Sequence, residues 1–161
     1  MRAAVLFVQV IVQASHSGAS AQMMWMTKKP ETYGVLVSGN MFGDIVSDGF
    51  AGLIGGLGFA CSANIGKEVA IFEPTHRSAP KYETLDLSIV NPIAMILTAC
   101  MMPDHIGGTD TAKRIRSAVE AVVADGKVRT YDMMRLTGRQ DVLDQGACST
   151  TQMTDAIIAK L

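Results

Sequence analysis

Ser38-Gly39-Asn40-Met41-Phe42-Gly43-Asp44-Ile45-Val46-Ser47-Asp48 runs on to Gly55-Gly56-Leu57-Gly58 and Ser62-Ala63-Asn64-Ile65-Gly66, and the rest of the chain is read outward from it. Tyr33 to Ser38, with Val35-Leu36-Val37 at its centre, predicts a strand that ends in a glycine-bearing turn. Beyond the turn, Asp44 and Asp48 stand where a helix is expected to begin. Four residues is roughly one helical turn, so both carboxylates project from one face. Two carboxylates that close repel unless positive charge lies between them, which points to a divalent cation. The plain alternative is a pair of exposed aspartates favoured by the positive end of the helix dipole. Oxygen ligands with open positions suit Mg²⁺ or Mn²⁺.

After Asp44 the apolar set Ile45, Val46, Phe50, Leu53 and Ile54 has helical spacing, and the glycines at 55, 56 and 58 stop the helix. Nine of the fifteen glycines fall between positions 34 and 66. Such a concentration implies tight turns, or backbone pressed close to a ligand or to neighbouring elements. Upstream, residues 13 to 21 read as a loop, and Ala21 to Met26 as a short helix ended by Lys28-Lys29-Pro30. Further upstream, Arg2 followed by residues 3–12 has the look of a signal-peptide core, too short to span a bilayer as a helix. A buried strand is the preferred reading of that run.

Downstream, Val69-Ala70-Ile71-Phe72 reads as a strand leading into a loop from Glu73 to Tyr82. Asn91-Pro92 predicts a helix start, with asparagine as N-cap and proline in the first turn; Ile93, Met95, Ile96, Leu97 and Met101 should be mostly buried, and Pro103 should end or kink the helix. Thr109 can cap a further helix whose Ile115, Ala118, Val119, Val122 and Val123 share a face, with Gly126 at its end. Thr151 to Leu161 closes the chain as an amphipathic helix. Strands alternating with helices make the fold class α/β.

Composition narrows the function. With 161 residues, 48% hydrophobic and 18% charged, the chain can bury a proper core. A net charge of −1 offers no basic field for nucleic acid or an anionic membrane, so neither is expected as a partner. Cys61, Cys100 and Cys148 are odd in number, far apart and without a C-x-x-C, which fits a reducing compartment: cytoplasm, or mitochondrial matrix in a eukaryote.

The long motif from Asn40 to Gly66 closely resembles the signature of the β-decarboxylating dehydrogenases: isocitrate, homoisocitrate, 3-isopropylmalate and tartrate dehydrogenases. The resemblance continues through Phe72-Glu73-Pro74-Thr75-His76, Ser78-Ala79-Pro80, Asn91-Pro92 and Ser149-Thr150-Thr151. It implies a C-terminal part of the isopropylmalate dehydrogenase-like fold, a mixed sheet flanked by helices, over residues 21–161, with 1–20 unmatched. It also implies that Asp44 and Asp48 bind Mg²⁺ or Mn²⁺. In the family that metal chelates the 2-hydroxyl and a carboxylate of the substrate, isocitrate or a similar 2-hydroxy acid. There it acidifies the hydroxyl as hydride leaves and stabilises the enolate as CO₂ departs.

By the same resemblance the histidine loop, with Glu73, His76, Ser78 and Ala79, is the dinucleotide loop. Glu73 falls near the nicotinamide ribose, His76 near the adenine, and Asn91 against the adenine ring. Lys81-Tyr82 matches members that use NADP, where lysine and tyrosine answer the 2'-phosphate; members using NAD carry an acid and an isoleucine there. Tyr131 and Arg135 match further 2'-phosphate contacts of bacterial-type NADP isocitrate dehydrogenases. The cofactor expectation is therefore NADP rather than NAD, and the activity that of the tricarboxylic acid cycle enzyme, in a homo- or hetero-oligomer.

The chain also departs from the pattern. Family members run to well over twice its length. Their substrate-binding serine and arginines, and their catalytic tyrosine and lysine, have no counterpart in these residues. The third metal carboxylate should fall near Ser17-Gly18, where there is no aspartate. Arg77 stands in place of glycine, Cys61 in place of proline or glycine, and Glu83 to Ser88 replaces a shorter segment. The expectation is an incomplete site that needs a partner or further N-terminal region, or else a non-catalytic subunit or degenerate paralogue.

Overall fold

The structure, a computed structural model, describes residues 18–76, 78, 80–83 and 88–161. The apolar run at residues 3–12, Arg77, Ala79 and most of the Glu83 to Ser88 segment lie outside the described residues.

The chain enters through α1 (Ala19–Lys28), which ends just ahead of Lys29-Pro30. It crosses to α2 (Asn40–Ile54), where Met26 is buried and Met23 lies over Gly49. A Cβ at Gly49 would come within 2.6 Å of the Met23 methyl, so glycine leaves room for the tip of the Met23 side chain against α2. Helix α2 starts four residues ahead of the expected Asp44, because Gly39 is extended and nothing from Asn40 onward breaks a helix. It stops at Gly55, whose φ of 125° is open to glycine alone among common residues.

The strand expected at Tyr33–Ser38 does not form. The segment is extended, but no strand among the described residues pairs with it, and Val37 is 83% exposed. An extended run becomes a strand only when a neighbour satisfies its N–H and C=O groups. The sheet consists instead, among the described residues, of two antiparallel strands, β1 (Cys61–Ile65) and β2 (Ala70–Pro74). Their register runs from Cys61 opposite Pro74 to Ile65 opposite Ala70. Strand β2 was legible in its apolar run. Strand β1, Cys-Ser-Ala-Asn-Ile, is small and polar, and its pairing supplies what its propensity lacks.

The hairpin lies against α4 (Ile93–His105), the central helix. Pro92 takes the cap position, and Asn91 still works from one residue earlier by accepting the Ile93 N–H at 3.0 Å. Pro103 neither ends nor interrupts the helix; placed in the last turn, it forgoes only the bond to Ala99 and the turn closes around it. Met95, expected inside, is exposed, as are Met102 and Ile106. A short turn of helix, α3 (Pro80–Glu83), interrupts the loop expected there.

Helices α5 (Thr109–Asp125) and α6 (Thr150–Ile158) complete the main core with α4. Ile93, Ala118, Val119, Val122, Cys148, Met153 and Ile157 form one buried cluster. Gly108 rather than Thr109 precedes α5, and Gly126, in the left-handed conformation, ends it as expected. Ser149 caps α6 in a full capping box with Gln152, while Leu161 lies past the helix, exposed. A second cluster gathers Ile89, Val142 and Ala147 under Tyr82, Tyr131, Met134, Leu136 and Leu143. The three cysteines are free. No helix among the described residues is long and apolar enough to cross a membrane.

Candidate functional site

Asp44 and Asp48 stand one turn apart on α2, and both are exposed. Neither enters a salt bridge among the described residues, so both carboxylates remain available to a cation. They supply two carboxylates and no more: among the described residues no group of three or more His, Cys, Asp or Glu side chains could hold a metal ion. A neighbouring face of α2 borders an apolar cavity of about 340 Å³, walled by Leu36, Val46, Phe50, Ile54, Phe59 and Cys61 among others.

The expected dinucleotide residues fall into three groups. Glu73, on β2, is exposed and accepts a hydrogen bond from the Asn64 amide at 2.9 Å. His76 is half-buried just beyond β2, and Ser78 is exposed. Ala79 lies outside the described residues, as does the side chain of Lys81, whose backbone belongs to α3.

Asn91 is buried, with 4% of its surface exposed, and both ends of its amide are hydrogen-bonded. Its oxygen caps α4, and its nitrogen donates to Asp132 Oδ2 at 2.9 Å. Gly58 seals this pair: a Cβ there would lie 2.7 Å from Asp132 Oδ2 and 3.0 Å from Asn91 Nδ2. Asp132 Oδ1 and the Thr130 hydroxyl are buried and have no hydrogen-bond partner among the described residues. Asp132 escaped the sequence reading because its weight comes from a residue 41 positions away.

Tyr82 and Tyr131 meet. The Tyr131 hydroxyl donates to that of Tyr82 at 3.0 Å, with ring centroids 5.9 Å apart. Burial, then the hydrogen bond to Tyr82, pushes the Tyr131 hydroxyl well above the ordinary phenol range, so it is neutral at any physiological pH. Arg135 is exposed nearby in sequence, with φ 57°, the only non-glycine residue with positive φ among those described. The Leu136 N–H bonds the Tyr131 carbonyl at 2.8 Å and the Arg135 N–H bonds the Asp132 carbonyl at 3.0 Å. That bond pair is a Schellman closure with arginine in the place glycine usually takes, and the apolar contact that accompanies it joins Leu136 to Tyr131 in the second cluster.

A sequence model described as isocitrate/isopropylmalate dehydrogenase matches residues 9–157. The chain belongs to the isocitrate/isopropylmalate dehydrogenase family. Among its relatives in this family, 3-isopropylmalate dehydrogenase of Archaeoglobus fulgidus is 50% identical over 113 residues, covering 70% of this chain and 34% of that protein. Isocitrate dehydrogenase [NADP] of Thermus thermophilus is 43% identical over 150 residues, 93% of this chain and 28% of that protein. The crystal structure of isocitrate dehydrogenase from Methylococcus capsulatus superposes with a TM-score of 0.77 at 43% identity, over 88% of this chain and 39% of that one. The chain thus spans roughly a quarter to two fifths of these family members. Both substrate types appear among them, so membership alone leaves the choice between isocitrate and isopropylmalate to the residues.

Proposed function

We propose that the chain carries the metal- and dinucleotide-binding part of an NADP-dependent isocitrate dehydrogenase. In this reading it takes part in oxidative decarboxylation of isocitrate to 2-oxoglutarate, joined by the remainder of the fold as a preceding region or a second chain. The observation that carries the reading is the meeting of the Tyr82 and Tyr131 hydroxyls, with Lys81 and Arg135 beside them in sequence. Two hydroxyls and two cations form a donor set for a dianionic phosphate, and a ribose 2'-hydroxyl would have no need of it. NADP in turn favours isocitrate over isopropylmalate, and the Thermus relative carries NADP in its name.

In this reading Asp44 and Asp48 hold Mg²⁺ or Mn²⁺, and their exposed, unpaired carboxylates on one helix face fit a hard dication. When bound, the cation supplies fixed positive charge beside the substrate's hydroxyl oxygen, where negative charge gathers. Glu73, His76, Ser78 and Ala79 line the dinucleotide loop, and Asn91, buried and locked by Asp132 and the α4 cap, holds the backbone around the adenine in place rather than presenting its own side chain. The protein would act in the cytoplasm, or the mitochondrial matrix of a eukaryote.

Incubating the chain with isocitrate, Mg²⁺ and NADP⁺ tests this directly. The expected result is no NADPH from the chain alone, and NADPH once the N-terminal portion of a family isocitrate dehydrogenase is added. The two-ligand metal site favours a second reading, a non-catalytic subunit or degenerate paralogue that joins a full-length enzyme. Native mass spectrometry separates the two: a mixed oligomer without gain of activity supports the second.

A further inference from the structure

The tip of Tyr82 rests on Gly138. A Cβ at position 138 would fall 2.6 Å from Tyr82 Cε1, 2.7 Å from its hydroxyl oxygen and 3.0 Å from Cζ, all closer than atoms can approach. Gly138 is not among the glycines with positive φ, so its backbone does not demand glycine. What demands it is the space taken by the Tyr82 ring. The body of that ring packs with Tyr131, Met134, Leu136 and Leu143 around Ile89, Val142 and Ala147, which holds one side of it. Its tip touches both the Tyr131 hydroxyl and Gly138.

We infer that Gly138 is a positioning residue: its missing side chain leaves the gap into which Tyr82 reaches, and so sets where the paired Tyr82 and Tyr131 hydroxyls stand. The inference deepens the proposed function and rests on the reading of that pair as the 2'-phosphate contact. A methyl group at 138 would press on the tip of the ring while the cluster holds its body, so the ring must tilt in place. The tilt moves the hydroxyl, and the loss falls first on its position. Discrimination between a ribose 2'-phosphate and a bare 2'-hydroxyl is what Gly138 protects, although it touches neither.

The test uses the full chain and two probes, adenosine 2',5'-bisphosphate and adenosine 5'-monophosphate, with affinities measured by calorimetry. Wild type is expected to prefer the bisphosphate, and Gly138→Ala to lose about tenfold of that preference while the monophosphate is unaffected. In a Tyr82→Ala background, where the gap is empty, adding Gly138→Ala should change nothing further. Equal losses in both backgrounds, or equal losses for both probes, overturn the positioning role. A wild type with no preference for the bisphosphate sinks the cofactor reading itself, and the specificity role with it. Ultraviolet titration of the three tyrosines reads the contact without ligand. Gly138→Ala should lower the most alkaline transition, and an unchanged titration overturns the seating of Tyr82 by Gly138.

Discussion

Asn91 shows how much one buried amide can hold. It caps α4 through its oxygen and engages Asp132 through its nitrogen, while the other Asp132 oxygen already lacks a partner. Asn91→Ala removes both bonds and leaves a half-buried carboxylate with no side-chain partner among the described residues. The expected cost is about 2–3 kcal/mol, seen as a lower urea midpoint with unchanged slope. Asp44→Asn and Asp48→Asn, at exposed positions, should move stability by no more than about 0.5 kcal/mol while weakening Mn²⁺ binding in the assembled protein, measured by calorimetry. Tyr131 gives a pH dependence with a definite sign. Its folded pKa lies above the unfolded value of 10.0, so its share of stability is intact below pH 10 and is lost as pH rises beyond it. Tyr131→Phe should flatten that alkaline fall in thermal melts. At this scale candidate residues can be named from the sequence, whereas the partners of Asn91 and Tyr82 cannot. Their contacts join positions 41 and 49 residues apart.

Among the elements, those governed by local rules matched their sequence signals. Helix α6 is an example: Ser149 and Gln152 cap it reciprocally, and Met153 and Ile157 anchor it in the main core. Ser149→Ala should cost about 1 kcal/mol, read from thermal unfolding, since it frees the Gln152 N–H and opens the capping box. Helices α1 and α5 likewise stop where lysine-proline and glycine said they would. Of the elements that depend on a neighbour, only β2 matched its signal. Tyr33–Ser38 has strand composition and no strand partner among the described residues, while Cys61–Ile65 has weak composition and a partner. Pro103 looked like a terminator because the sequence does not tell how near the helix end it lies.

Among the described residues, large apolar side chains stand exposed on several elements: Met24 and Trp25 on α1, Met41, Ile45 and Leu53 on α2, and Met95 and Met102 on α4, with Ile106 just past its end. Exposure on that scale marks surfaces made for contact. It agrees with a chain that spans only part of its family members' length. The chain alone is expected to bind a hydrophobic dye such as anilinonaphthalene sulfonate and to self-associate as its concentration rises. Both should diminish when the N-terminal portion of a family enzyme is supplied; sedimentation velocity and dye fluorescence give the readout.

The sequence by itself determined the α/β class, where α1, α2 and α5 stop, the placement of two carboxylates on one helical face and the family signature. All of these follow from local spacing, capping chemistry and residue type. The tertiary structure decided which extended segment became a strand, how Asn91 and Asp132 lock together under Gly58, and that Tyr82 reaches Tyr131 over Gly138. Those outcomes depend on which distant backbone and side chains meet, and in how much space, and a linear pattern carries neither.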